Sequence, residues 1–302
     1  MIGIGNIVAL QHGAMTCRLA PDCGGSIASW TKQGAHGLIN LFRPASFAAE
    51  SSGSATDMAC FPLVPFSNRI AGGRFTFQGR AVTLPPNLGF SHAIHGHGWT
   101  APWTVDERSD RAARLSYHHP AGAWPWRYSA VQTIALDDDG LVMTLDLINE
   151  SDSAMPAGLG LHPYFPKPPG TRVTTGLTGM WESDGNVLPR SRHPLPTRLD
   201  FPAGLAMDDS VILDHGFTGW NGQATVRWCG GVADGTSVSL LADGPFGHLI
   251  VYAPAGETFL CLEPVSHMTD AVNHPEEADA GVFVLAPGER LSGTVRFRVS
   301  SP

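Results

Sequence analysis

The sequence predicts an all-β protein built as an antiparallel sandwich or barrel. Three observations carry this. Glycine (35) and proline (24) make up about one residue in five of the 302; both disfavour long helices and suit short strands joined by turns. Apolar and polar residues alternate with period 2 in many short segments bounded by Gly, Pro and Asp, the pattern of half-buried strands. No segment shows a sustained helical period, and only Pro275–Ala280 suggests a helical turn or two.

In chain order, Gly73–Gln78 (GRFTFQ) alternates and is expected to turn at Gly79-Arg80. Tyr128–Leu136, the run Asp137-Asp138-Asp139-Gly140 and Leu141–Asn149 form the clearest hairpin. Further strands are expected at Ala224–Trp228, Ser237–Leu241, His248–Tyr252, Thr258–Glu263 and Thr294–Val299. Pro163–Gly170 holds four prolines in eight residues and reads as a stiff loop, too short to link domains. No repeat and no boundary stands out, so one domain is expected over residues 1–302.

Hydrophobic residues reach 43%, enough for a core, and charged residues only 15%. The net charge of −8 argues against binding nucleic acid, whose phosphates it repels. No basic run suggests membrane docking, and no apolar stretch approaches the ~20 residues of a spanning helix. The N-terminus lacks the basic and apolar regions of a secretory leader. Five scattered cysteines without a Cys-x-x-Cys pair suit reduced thiols in a cytoplasmic protein, expected as a monomer or homodimer.

Four clusters could carry chemistry. In Phe61–Phe75 an apolar run leads to Asn68-Arg69; an arginine there can fork two hydrogen bonds onto ligand oxygens or pair a surface carboxylate. Ser91–Trp99 (SHAIHGHGW) holds His92, His95 and His97. In a strand, His95 and His97 would share one face and His92 the other, open to metal binding, ligand contact or a structural role. A cupin-like metal site would want a glutamate shortly after, and Thr100–Val105 has none. In GLGLHPYF, His162 precedes a proline, which holds it extended. In TFLCLEPVSHMTDAVN an apolar strand is expected to end at Glu263, before Pro264. Burial there would raise the carboxyl toward the range of a general base.

Together these clusters resemble the aldose 1-epimerases (galactose mutarotases). The resemblance runs from Asn68-Arg69-Ile70 and Gly73-Arg74-Phe75 through Ile94-His95-Gly96, His162-Pro163-Tyr164-Phe165 and Asp214 in LDHGFTGW. It continues to Glu263-Pro264, Asp270-Ala271-Val272-Asn273 and Val284–Glu289. It implies a large antiparallel β supersandwich with few short helices. It also implies interconversion of the α and β anomers of a free aldose, without cofactor or metal. By this likeness Glu263 is the general base and His162 the general acid. His95 assists at the ring oxygen, and Arg69, Asp214 and Asn68 bind sugar hydroxyls. Trp99 is a candidate for stacking on a sugar face. Opposite charges would hold Glu263 ionised and His162 protonated near neutral pH. The prolines after His162 and the Asp214 segment depart from the usual galactose enzymes, so the sugar stays open. Rival functions are a non-catalytic sugar-binding protein of the same fold, a hexose-6-phosphate 1-epimerase, a glycoside hydrolase using Asp214 and Glu263, and a metal enzyme on the three histidines.

Overall fold

A computed structural model describes residues 6–46, 48–49 and 53–302. Residues 1–5, part of the segment read above as lacking a leader, lie outside them. The alternating segments pair into two large antiparallel sheets. The nine-stranded sheet runs Thr104–Arg108, Ala112–His119, Tyr128–Leu136, Gly140–Asn149, Arg290–Ser300, Ser237–Ala242, Gln223–Arg227, Arg172–Thr175 and Leu205–Ala206. The eight-stranded sheet runs Pro189–Pro194, Gly179–Ser183, Leu213–Thr218, His248–Ala253, Phe259–Val265, Gly160–Leu161 and Pro62–Leu63, with Tyr164–Pro166 paired beside Phe259–Val265. A four-stranded meander, Val8–His12 to Gly37–Asn40, precedes both.

Period-2 alternation aims one row of each large sheet at the other. Ile134, Leu145, Val295 and Phe297 from the nine-stranded sheet share one buried apolar cluster with Leu213, Phe217, Leu249, Val251, Leu260 and Leu262 from the eight-stranded sheet. This is the sandwich core. Phe259–Val265 is buried on both faces apart from Phe259. Leu260 and Leu262 face the sandwich core, and Cys261 and Val265 join a second cluster with Phe61, Trp99, Tyr164 and Ile250. The second face of the eight-stranded sheet is therefore covered along this strand, where Glu263 is buried, while Asp214 and Tyr252 beside it are partly buried.

The Tyr128–Leu136 and Gly140–Asn149 hairpin forms as expected, with Asp137 Oδ1 accepting from the backbone N–H of Asp139 and Gly140 at 2.9 and 2.8 Å. The hairpin Arg74–Phe77/Arg80–Thr83 turns one residue earlier than expected, at Gln78-Gly79. Both turn residues have positive φ (48° and 79°), as a tight primed turn requires. The helical turn expected at Pro275–Ala280 lies instead at Ala271–Asn273, a 3₁₀ turn, and the later residues form turns. The strand bearing Glu263 continues to Val265. Proline is tolerated because the neighbouring strand is broken there: Tyr164–Pro166 pair with Phe259–Cys261 and Gly160 with Val265, leaving His162-Pro163 opposite the gap. No helix among the described residues is long and apolar enough to cross a membrane. None of the five cysteines is in a disulfide.

Candidate active site

Register alone assembles one wall. Asp214 pairs with Tyr252, Tyr252 with Cys261, and Cys261 with Tyr164, so four residues from four strands form one line across the sheet. One step along, Gly216, Ile250 and Glu263 form the parallel line. Residues two apart on a strand share a face, which puts Asp214, Tyr252, Cys261 and Glu263 on the covered side.

The opposite wall comes from irregular segments. His95 does not lie in a strand; the short strand ends at Ile94, and His95 has φ 63°. Gly96 follows with φ 68°, and a Cβ there would lie 2.1 Å from the Val64 carbonyl oxygen, so only glycine fits. Asn68, with φ 53°, donates its backbone N–H to His95 Nδ1 at 3.0 Å. That bond leaves the His95 proton on Nε2. The Asn68 side-chain oxygen accepts from the Arg69 backbone N–H at 2.9 Å and from Arg69 Nη1 at 3.1 Å, which aims the guanidinium.

The walls enclose a cavity of about 160 Å³, lined among others by Asn68, Arg69, His95, His162, Asp214 and Glu263. His162 is stacked between Phe61 (ring centroids 4.6 Å apart) and Tyr164 (4.7 Å). Its Nε2 lies 3.3 Å from Glu263 Oε1. His162 Nδ1 and Glu263 Oε2 are buried without hydrogen-bond partners.

Burial sets the protonation of this pair. It pushes the Glu263 carboxyl well up, and the nearby Asp214 pushes it further against the opposing pull of Arg69. It pushes the His162 imidazole down to about 3, aided by Arg43. The expectation of an ionised Glu263 beside a protonated His162 is therefore corrected. Desolvation of two buried charges outweighs their attraction, and a neutral carboxylic acid faces a neutral imidazole. His95 is also held neutral, first by burial, then by the neighbouring His162, which would compete with it for a proton, and by the Arg69 guanidinium. It presents an Nε2–H donor. Burial raises Asp214 too, with Arg69 and His215 opposing.

The other residues singled out in the sequence go elsewhere. Trp99 is absent from the cavity wall; it is buried behind it, its ring 5.7 Å from Phe61 and 6.0 Å from His95. The sugar-stacking role is thus replaced by packing, because the 3₁₀ turn at Gly98–Thr100 carries the indole into the second apolar cluster. His92 Nδ1 accepts from the Gly72 N–H at 3.0 Å. His97 stacks on His119 at 4.1 Å, meets the Tyr128 hydroxyl at 3.3 Å, and is pushed down to about 4 by burial and His119. The positive-φ kink at His95-Gly96 breaks the alternation that a strand would have imposed. The three histidines do not converge as a metal-ligand group among the described residues.

Asp270 and Asn273 buttress the site without lining it. Asp270 Oδ1 accepts from the Ala71 N–H (2.9 Å) and Asn273 Nδ2 (2.7 Å), and the Asp270 N–H donates to the Arg69 carbonyl (2.9 Å). Tyr252, Leu88 and Phe90 line the cavity and were not singled out from the sequence. Tyr252 lay in an expected strand, but its face depends on pairing with Asp214. Phe90, 46% exposed, sits over the Arg69 guanidinium at 5.2 Å, on a loop without periodicity.

The model of the family described as Aldose 1-epimerase matches residues 6–298. The chain belongs to the aldose 1-epimerase family. The uncharacterised Escherichia coli K12 protein YphB is 36% identical over 304 residues, covering 97% of this chain and 98% of that one. A crystal structure from Escherichia coli K12, of a protein assigned provisionally as an aldose 1-epimerase, has 33% identity, TM-score 0.88 and coverage of 98% and 99%. A galactose mutarotase-like protein from Clostridium acetobutylicum, at 19% identity and TM-score 0.86 over 98% and 95%, shares the fold. The antiparallel supersandwich is the fold of this aldose 1-epimerase family member.

Proposed function

We propose that this protein is an aldose 1-epimerase acting on a free sugar by proton transfer alone. The observation that supports this most is the buried His162–Glu263 contact at 3.3 Å, open to a cavity also lined by Arg69, His95 and Asp214. One proton moved from Glu263 to His162 across that contact gives a carboxylate and an imidazolium. Incoming sugar hydroxyls and Arg69 offer the polar partners that favour this charged form.

Glu263 then takes the proton of the C1 hydroxyl. The O1–H electrons form the C1–O1 double bond as the C1–O5 bond breaks, and the ring oxygen takes a proton from His162. Rotation about C1–C2 presents the other carbonyl face. The C5 hydroxyl attacks it, giving its proton back to His162 while O1 recovers one from Glu263. Each group contributes roughly 10²–10⁴-fold. His95 holds an oxygen of the reacting sugar through Nε2–H, and Arg69 and Asp214 fix hydroxyls.

The test is anomer exchange by NMR on several free aldoses. Catalysed exchange of at least one supports the reading. Binding without exchange, across the panel, would make this a sugar-binding protein of the same fold.

A further inference from the structure

Cys261 stands beside the dyad and takes no part in the chemistry above. It shares its strand face with Glu263, two residues on. The His162 imidazole nitrogen, the Cys261 sulfur and a Glu263 carboxylate oxygen all lie within 4.8 Å of one another, and all three residues are buried. Among the described residues no other such group of His, Cys, Asp and Glu side chains is found.

We propose that His162, Cys261 and Glu263 form a site for one thiophilic divalent cation, such as Zn²⁺ or Cd²⁺, whose binding blocks the active site. Nitrogen, thiolate sulfur and carboxylate oxygen are the donors such cations take. Bonds of about 2.0–2.1 Å to nitrogen and oxygen in a tetrahedron place those two atoms about 3.3–3.4 Å apart. His162 Nε2 and Glu263 Oε1 are already 3.3 Å apart. Sulfur, with bonds of about 2.3 Å, would sit about 3.6 Å from each, so with all three atoms within 4.8 Å of one another Cys261 has at most about an ångström to close.

Charge balance supports the donor set. The cation displaces the thiol proton and the carboxyl proton to solvent, and a thiolate, a carboxylate and a neutral imidazole leave the site uncharged. His162 and Glu263 form part of the cavity wall, so the fourth position faces the place where a sugar hydroxyl would bind. The cation ties up the general base and the general acid together.

The binding claim rests on donor geometry alone; the claim of inhibition rests on the epimerase reading. The test separates them. The exposed thiol of Cys229 is first removed as Cys229→Ser, and this protein is titrated with Cd²⁺ while the ultraviolet sulfur-to-cadmium charge-transfer band is followed. One Cd²⁺ per chain with that band is expected. Adding Cys261→Ser, or Cys261→Ala should the first misfold, should abolish the band and weaken binding at least about tenfold, a loss that even outer-shell partners of a metal can cause. A band that survives the loss of Cys261, or no band in the Cys229→Ser protein, overturns the site whether or not the protein is an enzyme. In the exchange assay the Cys229→Ser protein should lose activity in step with occupancy and regain it with a chelator, and the double variant should keep its activity. Equal inhibition of both overturns the blocking role.

Discussion

His162 Nε2 lies 3.3 Å from Glu263 Oε1, with both side chains almost wholly buried. The two come from different segments, and the break in the strand beside Phe259–Val265 lets the imidazole reach the carboxyl. Glu263→Gln keeps the shape of the side chain and removes the base. It should fold, bind sugar and lose at least roughly 10²-fold in exchange. NMR exchange at the wild-type rate in that variant would end the base role.

The same pair sets a pH dependence. The active form holds one proton between the two groups, and they titrate as a unit. A second proton must enter at His162, whose affinity burial lowers to about 3, so activity falls as pH drops through that region. The last proton leaves the raised Glu263, so activity also falls as pH rises through its displaced range. Between the depressed His162 and the raised Glu263 the value of kcat/KM should stay flat, with no step where free histidine titrates, near 6.5. A fall centred near 6.5 would show an ordinary solvated histidine in control.

Asp270 supports Arg69 from behind, by way of the Ala71 N–H, Asn273 and the Arg69 carbonyl. Asp270→Ala leaves the part-buried Ala71 N–H unpaired and takes one of two acceptors from Asn273 Nδ2, which costs about 1 kcal/mol. With Arg69 less well held, KM should rise more than kcat falls. Urea denaturation and Michaelis kinetics measure the two effects, and an unchanged KM would reduce Asp270 to a purely structural residue.

Trp99 packs against Phe61 and His95 behind the cavity. Trp99→Phe should leave KM within about threefold and lower stability by roughly 0.5–3 kcal/mol. A large rise in KM with unchanged stability would return Trp99 to the sugar.

Much of this was legible in the sequence because its signals are local. Alternation in Tyr128–Leu136 and Leu141–Asn149, with three aspartates and a glycine between, needs no tertiary context to read as a hairpin. His162 and Glu263 sit in short motifs with prolines beside them. What stayed hidden depends on pairing and on buried electrostatics. Tyr252 faces the cavity because it pairs with Asp214 and Cys261, a register no local pattern states. The positive-φ pair His95-Gly96 sent His92, His95 and His97 to three places. The neutral state of the dyad follows from the covering of the sheet's second face, which the alternation of one strand cannot reveal.

The last prediction concerns charge on the substrate. Arg69 is the one lysine or arginine among the described residues lining the cavity, and it shares the wall with Asp214 and Glu263. Other arginines that a phosphate would need are committed or remote. Arg192 pairs with Asp279 at 2.7 Å, Arg172 lies on the nine-stranded sheet, and Arg43 stacks on Tyr164 at 3.9 Å and donates to the Met58 carbonyl. Tight binding of a sugar phosphate usually takes two or more charge-assisted donors, worth roughly 1.5–3 kcal/mol each. A phosphate here would meet one guanidinium already held by Asn68, beside an acidic residue whose burial gives it little screening. Neutral glucose or galactose should therefore be turned over with higher kcat/KM than the matching 6-phosphates. A preference for the phosphates above about tenfold, about 1.4 kcal/mol, would overturn this and point to a hexose-6-phosphate epimerase, with Arg43 as the first further cation to test.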